Sequence, residues 1–394
     1  MLKIAVIAYS CQPDKGSEPG IAWDFITEMA NRGHKISVFT KSDKINFIAN
    51  TGLANKVKFY FVKSSNFPYK SRLSAARIIH YCLWNISCFF YFKKSFSPND
   101  FDLVHHVTFV NDWTPSVGAF LGIPFVLGPI GRHPKLPMRY LREQGTSILL
   151  RETLRNLCRK VVGLMDPLTH FTQKNATTIF VINESLVKPK FKKKTYVLPA
   201  VAIQSLNLKL QSATKKSDKI FRLYWAGNFL YWKGPRLAIS AYLEAKKILG
   251  TAIELHMFGT GSEFKMIEAE NKLEEGLFFH GVLPQPEFIE KARSMDMFLY
   301  PSFEGGGLVV LEALMAGKPV LGINYGGLSQ MVTNDCGKLV EFTDSGSTAC
   351  ELSNTIIKIV RDIGLYRSLS KGAKERAVFF SIQRKCKVIE EIAY

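Results

Sequence analysis

The sequence predicts an α/β protein built from two doubly wound, parallel-sheet domains, and three observations carry that expectation. The chain has 394 residues, long for one core and comfortable for two. Its first forty residues read as strand, loop, helix and strand, the unit from which parallel sheets are built. A further strand, glycine loop and helix appear at residues 298–319, FLYPSFEGGGLVVLEALMAGKP. Hydrophobic residues make up 47% of the chain, ample for buried cores and too high for disorder.

The elements follow in order. Residues 2–9 are an apolar run ending at Tyr9-Ser10, a strand buried on both faces. The loop 11–20, CQPDKGSEPG, opens a helix over 21–31 that stops at Gly33, and a second strand follows at 35–40. That loop lacks G-x-G-x-x-G, so a nicotinamide-binding fingerprint is absent. The core of the next helix, 78–92, contains His80, Asn85 and Ser87 and is too short and polar to span a bilayer. Its aromatics, flanked by Arg72, Arg77, Lys93 and Lys94, fit an interfacial helix or one packed on the sheet with its basic ends in solvent.

Asp100-Phe101-Asp102 reads as the start of the strand 103–107 and not as a metal site. His105 and His106 alternate across that strand, one to each face. His106 is the candidate for the cleft, with a satisfied core histidine as the alternative. The strand 124–127 ends in Gly128-Pro129-Ile130-Gly131-Arg132-His133. Residues 146–175 read as basic helix (Arg151, Arg155, Arg159, Lys160), 176–182 as a strand and 188–194 as a lysine-rich loop. The polar stretch 204–219 reads as an interdomain linker. The second domain opens with a strand at 221–227, then a loop to Gly234 and a helix over 235–249 with proline at its first position. Residues 380–394 form a last helix.

Charge is unevenly spread. Residues 1–220 carry 32 Lys+Arg and 13 Asp+Glu, so the whole excess of +19 lies there, and the remainder is neutral. One basic domain beside a neutral one points to an anionic partner surface. The charge comes without a recognition helix or an RNA-binding strand motif, which argues against nucleic acid. Seven scattered cysteines without a C-x2-C pair argue for reduced thiols and against a disulfide frame or zinc site. The first residues run into a polar loop without a cleavage site, so no export signal is expected.

Within 298–319, Gly305, Gly306 and Gly307 leave the backbone bare, and the helix after them offers free amides that favour an anion. Glu304 stands at the loop mouth and Glu312 about two turns into the helix. An acid on each side of a phosphate seat suits hydroxyls flanking a diphosphate, the shape of a nucleotide sugar.

The E-x7-E spacing, followed by Ala-Leu-Met-Ala-Gly-Lys-Pro and by Asn324-Tyr325-Gly326-Gly327-Leu328, resembles the signature of glycosyltransferase family 4, the retaining group 1 enzymes of GT-B fold. Similarity extends to the GSEPG loop, to the histidine strand, to Gly128–Gly131 with Arg132 where a glycine is frequent, and to Lys233-Gly234. The family's arginine position before that lysine holds Asn228 here.

The resemblance implies two Rossmann-like domains facing each other across a cleft, with boundaries at 1–203, 204–219 and 220–379, and the 380–394 helix returning to the first domain. It implies a transferase moving a sugar, with retention, from a UDP-sugar more readily than a GDP-sugar to a glycan or polyprenyl- or lipid-linked acceptor. Bacterial surface polysaccharide or lipopolysaccharide synthesis is the expected setting. The implied catalytic residues are Glu304, Lys233 and His106. Gly16, Ser17, Gly227, Asn228, Lys233, Gly259, Val282, Leu283, Gly305, Gly306, Gly307, Leu308 and Glu312 would hold the donor. Glu18, Gly131, Arg132 and His133 are acceptor-side candidates, and neither a metal nor a further cofactor is expected. The protein is expected in the cytoplasm, peripheral on the inner face of the membrane through its basic half. Alternatives are a nucleotide-sugar epimerase of the same fold and a non-catalytic sugar or nucleic-acid binder.

Overall fold

A computed structural model describes residues 1–13, 18–48, 51–64, 74–132, 135–203, 220–304 and 307–394. Gly16, Ser17, His133, Gly305, Gly306 and the linker at 204–219 lie outside the described residues. The chain divides into two compact units. One comprises 1–132, 157–204 and 382–394, and the other 133–156 and 205–381.

The first unit begins with β1 (Lys3–Ala8), α1 (Glu18–Asn31), β2 (Lys35–Lys41), α2 (Ile45–Ile48) and β3 (Lys58–Val62). It continues with α3 (Ser74–Ser95), β4 (Leu103–Thr108) and β5 (Phe125–Ile130). The chain then passes through α4 (Met138–Glu143), which groups with the second unit, and α5 (Thr146–Met165), which is shared between the two, and returns with α6 (Pro167–Asn175), β6 (Thr178–Val181) and β7 (Thr195–Val197). Among the described residues the seven strands of the first unit form one parallel sheet in the order β3-β2-β1-β4-β5-β6-β7.

Alternation along the strands builds two cores. On one face Ile7, Val104 and Leu127 meet Tyr81, Trp84, Cys88 and Phe92, the i, i+3, i+7, i+11 stripe of α3. That resolves the two readings of this helix as far as packing goes. Its inner face closes the sheet, while Ile79, Ile86 and Phe90 on the outer face stay exposed. On the other face Ile4, Val6 and Phe180 meet Phe25 and Met29 of α1, together with Cys386 and Ile389 of the C-terminal helix.

The second unit runs β8 (Phe221–Ala226), α7 (Pro235–Leu249), β9 (Ile253–Phe258), α8 (Phe264–Glu270), β10 (Leu277–Gly281), α9 (Gln285–Ser294) and β11 (Met297–Tyr300). It continues α10 (Leu308–Met315), β12 (Val320–Ile323), α11 (Leu328–Met331), β13 (Gly337–Val340), α12 (Ser345–Arg361) and α13 (Ile363–Val378). Among the described residues its six strands are again parallel, in the order β10-β9-β8-β11-β12-β13. The last helix, α14 (Ile382–Ala393), belongs to the first unit. Glu390 of α14 takes Arg32 at 2.6 Å and His34 at 2.7 Å, tying it to the end of α1.

One boundary differs from the sequence expectation. Residues 133–156, expected within a domain spanning 1–203, group with the second unit. Tyr140 donates to the carbonyl of Tyr231, and its ring lies 4.2 Å from that of Phe303. The buried carboxylate of Glu152 accepts from the Tyr231 hydroxyl and pairs with Arg155. Such side-chain partners, far apart in sequence, have no local signature.

In each sheet the strand order reverses at one place, between β1 and β4 and between β8 and β11. In sheets of this kind ligands bind beyond the carboxyl ends of the strands at that reversal.

Candidate functional site

In the second unit the reversal brings together the loops after β8 and β11. The loop after β8 ends in a 3-10 turn, Tyr231–Lys233, and then Gly234 in the left-handed region at φ 67°. A Cβ at Gly234 would stand 2.0 Å from the Pro301 carbonyl oxygen, so only glycine permits this approach. The Phe303 amide donates to Trp232 O at 2.8 Å, and the Glu304 amide donates to Ser302 Oγ at 3.1 Å. The Lys233 ammonium consequently ion-pairs with Glu304 Oε2 and donates to the Tyr300 hydroxyl at 3.1 Å. The Lys233 side chain is 14% exposed and that of Glu304 36%, so the pair sits at the mouth of the site.

Behind it stands α10. Gly307 is its N-cap and supplies no side-chain acceptor, so amides of the first turn remain available to a ligand. Glu312 is partly buried on this helix, and desolvation pushes its pKa up. Its charge in turn helps hold the Tyr224 hydroxyl protonated, although burial of that tyrosine is the larger cause.

The loops after β9 and β10 meet the start of the β8 loop at the same end of the sheet. A Cβ at Gly259 would lie 1.9 Å from Gly227 O, and one at Gly261 2.5 Å from the backbone of Phe229. The Gly227 amide donates to Phe258 O at 3.0 Å, the Phe229 amide to Thr260 O at 2.9 Å and the Gly259 amide to Gly281 O at 2.7 Å. Val282 beyond β10 is 69% exposed, and Leu283 is partly buried. Asn228 is exposed on the first of these loops, where the resemblance leads one to expect arginine. Arg236 does not replace that cation, because Glu270 holds it at 2.5 and 3.1 Å.

The structure thus joins Lys233 and Glu304 and places Gly227, Gly259, Gly307, Leu308 and Glu312 on the elements around the same reversal. It adds Tyr300, which the sequence reading passed over. The signal was present, since a tyrosine at the carboxyl end of a strand at a reversal faces the ligand side.

In the first unit the candidates separate. His106 is 1% exposed, stacks on Tyr81 and meets Ser116 Oγ at 2.8 Å through Nδ1. Burial lowers its pKa to about 4, so the ring is neutral. Its expected place lining a cleft therefore meets a ring packed in the core beneath α3. His105 on the opposite face donates from Nε2 to Gly128 O at 3.0 Å, which leaves Nδ1 to accept from the Tyr394 hydroxyl at 2.6 Å. Arg132 ion-pairs with Asp112 and so is not a free cation. The Glu18 carboxylate accepts the Phe109 amide, and burial raises its pKa. Asp102 caps the Lys3 amide at 2.7 Å, and among the described residues no cluster could hold a metal.

Residues 208–376 match the family model described as glycosyl transferases group 1. The chain is 27% identical over 176 residues to an uncharacterized glycosyltransferase of Methanocaldococcus jannaschii, covering 44% of each. It is 30% identical over 173 residues to N-acetyl-alpha-D-glucosaminyl L-malate synthase of Bacillus anthracis, covering 43% of each. The match therefore spans less than half the length of these curated relatives. Among solved structures, Anabaena HepE in complex with UDP resembles the chain with a TM-score of 0.64 at 17% identity, over 99% of this chain and 98% of that one. The fold is GT-B, and residues 208–376 resemble a glycosyl transferases group 1 domain.

Proposed function

We propose that the protein is a retaining glycosyltransferase that moves a sugar from a UDP-sugar to a glycan or lipid-linked acceptor of a bacterial surface polysaccharide or lipopolysaccharide. The observation that carries this reading is the Lys233–Glu304 pair beside Tyr300, at the strand reversal and in front of an uncapped helix N-terminus. A diphosphate entering there competes with Glu304 for the Lys233 ammonium. The freed carboxylate then accepts from sugar hydroxyls, while Glu312 faces the ribose. Charge on the departing diphosphate is met by Lys233 and by the first amides of α10, donors that need no rearrangement during reaction. The diphosphate takes the acceptor's proton on the face it leaves. His106 is neutral and buried beneath α3 and is assigned no step.

The acceptor reading rests on charge. The basic half would bring the protein to an anionic membrane surface on the cytoplasmic face. The apolar outer stripes of α3 (Ile79, Ile86, Phe90) and α5 (Leu150, Leu154, Leu157) would enter the interface. Among the described residues no helix is long and apolar enough to cross a membrane.

A thermal-shift screen with UDP, GDP, ADP and their sugar conjugates tests the donor. A ligand of the folded state raises the melting temperature by mass action, and UDP is expected to stand out. The absence of a shift with every nucleotide would remove the transferase reading.

A further inference from the structure

Tyr300 closes β11 with a ring that is 0% exposed and stacks on that of Phe298 at 5.1 Å and 16°. A phenylalanine would pack in the same way, so the ring alone does not account for the hydroxyl. Burying a hydroxyl costs free energy unless a hydrogen bond offsets it. Among the described residues this one has a single hydrogen-bond partner, the Lys233 ammonium at 3.1 Å. The contact with Lys233 is therefore what an O–H at this position is for.

Lys233 is held at both ends. Its backbone amide donates to Leu230 O at 2.8 Å, and its carbonyl accepts from Trp225 Nε1 at 3.3 Å, which fixes the turn. Its ammonium ends a flexible four-carbon stem and meets two partners of different character. Glu304 is 36% exposed on a loop, where water competes for both charges. Tyr300 is buried on a strand that pairs with β8 on one side and β12 on the other. In the proposed complex Glu304 turns to the sugar hydroxyls, and Tyr300 is the partner that stays. An ammonium has three N–H groups, so one spent on Tyr300 leaves two for phosphate oxygens.

Placement of this ammonium matters more because it stands without a second cation. The loops after β8 and β11 contain no other lysine or arginine. Asn228 occupies the position where arginine is expected, and Glu270 holds Arg236. A lysine that is ordered only when its ligand arrives loses rotamer freedom at that moment, and one ordered beforehand does not. We propose, given the donor role proposed for Lys233, that Tyr300 is a positioning residue whose hydroxyl holds the Lys233 ammonium in place for the leaving diphosphate and so offsets the missing arginine by pre-organisation. Tyr300 acts through Lys233 and touches no substrate.

The test is a double-mutant cycle on the full chain, read by titration calorimetry with UDP and by thermal melts without it. Tyr300→Phe removes one hydroxyl and keeps the ring, so the protein should stay folded. Its Kd for UDP should rise about threefold or more, within the range by which residues in contact couple. In a Lys233→Met background the same change should leave the Kd within about twofold, because the group that Tyr300 positions has gone. There it should also not lower the melting temperature, since it removes the hydroxyl that Lys233→Met strands. A tyrosine with a purely structural role would weaken UDP by the same factor in both backgrounds, and that result overturns the proposal. A Tyr300→Phe Kd equal to that of wild type overturns it too. If Lys233→Met weakens UDP and Tyr300→Phe does not, the donor role of Lys233 stands and this inference alone falls. A wild-type protein that binds no UDP removes both.

Discussion

Lys233→Met is the sharpest perturbation of the donor site, because its effects on binding and on stability should separate. Lys233 meets Glu304 and Tyr300 in the structure and a diphosphate in the proposed complex. A charge-assisted hydrogen bond contributes about 1.5–3 kcal/mol, so the Kd for UDP should weaken about 10- to 150-fold. The cost to folding is smaller. Glu304 is 36% exposed and can be solvated once released, and ion pairs of that kind contribute about 0–1 kcal/mol. The Tyr300 hydroxyl loses a partner as well, at about 1 kcal/mol, while methionine retains the apolar stem. In a unit of this size about 1 kcal/mol moves the melting temperature about 2–4 °C, so a fall of several degrees is the most expected. Titration calorimetry with UDP and a thermal melt without it measure both. A Kd within about twofold of wild type, with the melt intact, would show that Lys233 does not reach the diphosphate.

Gly234→Ala forces a side chain into φ 67° against Pro301 O. The backbone alone costs about 1–2 kcal/mol, so urea unfolding should show at least that loss. The pKa of Lys385 is lowered to about 8, chiefly by burial, against about 10.4 in an unfolded chain. Between those values the unfolded state holds the extra proton, so this group makes stability rise with pH across that window. Glu18 and Asp24 of α1, Cys386 of α14 and His105 of β4 are the titratable groups around it. Lys385→Met should flatten the wild-type rise, and a parallel pair of stability–pH curves would refute the assignment. Sedimentation with anionic vesicles should carry the protein down at low salt and release it at high salt. Leu154→Glu should weaken that binding; retention equal to wild type would take α5 out of the interface.

Legibility followed sequence distance. The parallel sheets could be read because each strand is a short apolar run closed by its own loop, and no tertiary contact is needed to see that. The donor half of the site was readable for the same reason. Glu304, Gly307 and Glu312 sit on one strand–loop–helix, and Lys233 ends the neighbouring loop. Contacts between distant segments were not readable. Nothing near Tyr140 announces Tyr231, Phe303 and Phe342 as its surroundings, so residues 133–156 were assigned to the first domain. The histidine pair shows the limit from another side. Strand alternation put His105 and His106 on opposite faces, but which helix covers each face is a property of topology, and α3 covers that of His106.

The same reasoning bears on where the two substrates are recognised. Diphosphate chemistry is common to every nucleotide sugar, and one loop and one helix end can supply it, so it compresses into a motif. Recognition of a particular acceptor ring needs donors and acceptors spaced across that ring, and a single loop rarely spans it. In this chain Glu18 and Lys385, which line one pocket, come from the first turn of α1 and from α14, opposite ends of the sequence. The return of α14 to the first unit, fixed by Glu390 on Arg32 and His34, is what brings Lys385 to that pocket. Glu390→Gln should therefore loosen α14 from α1 and lower the melting temperature, and UDP affinity should stay as it was. A thermal melt and titration calorimetry with UDP measure both. A melt equal to wild type would mean that α14 is held by its apolar face and not by Glu390.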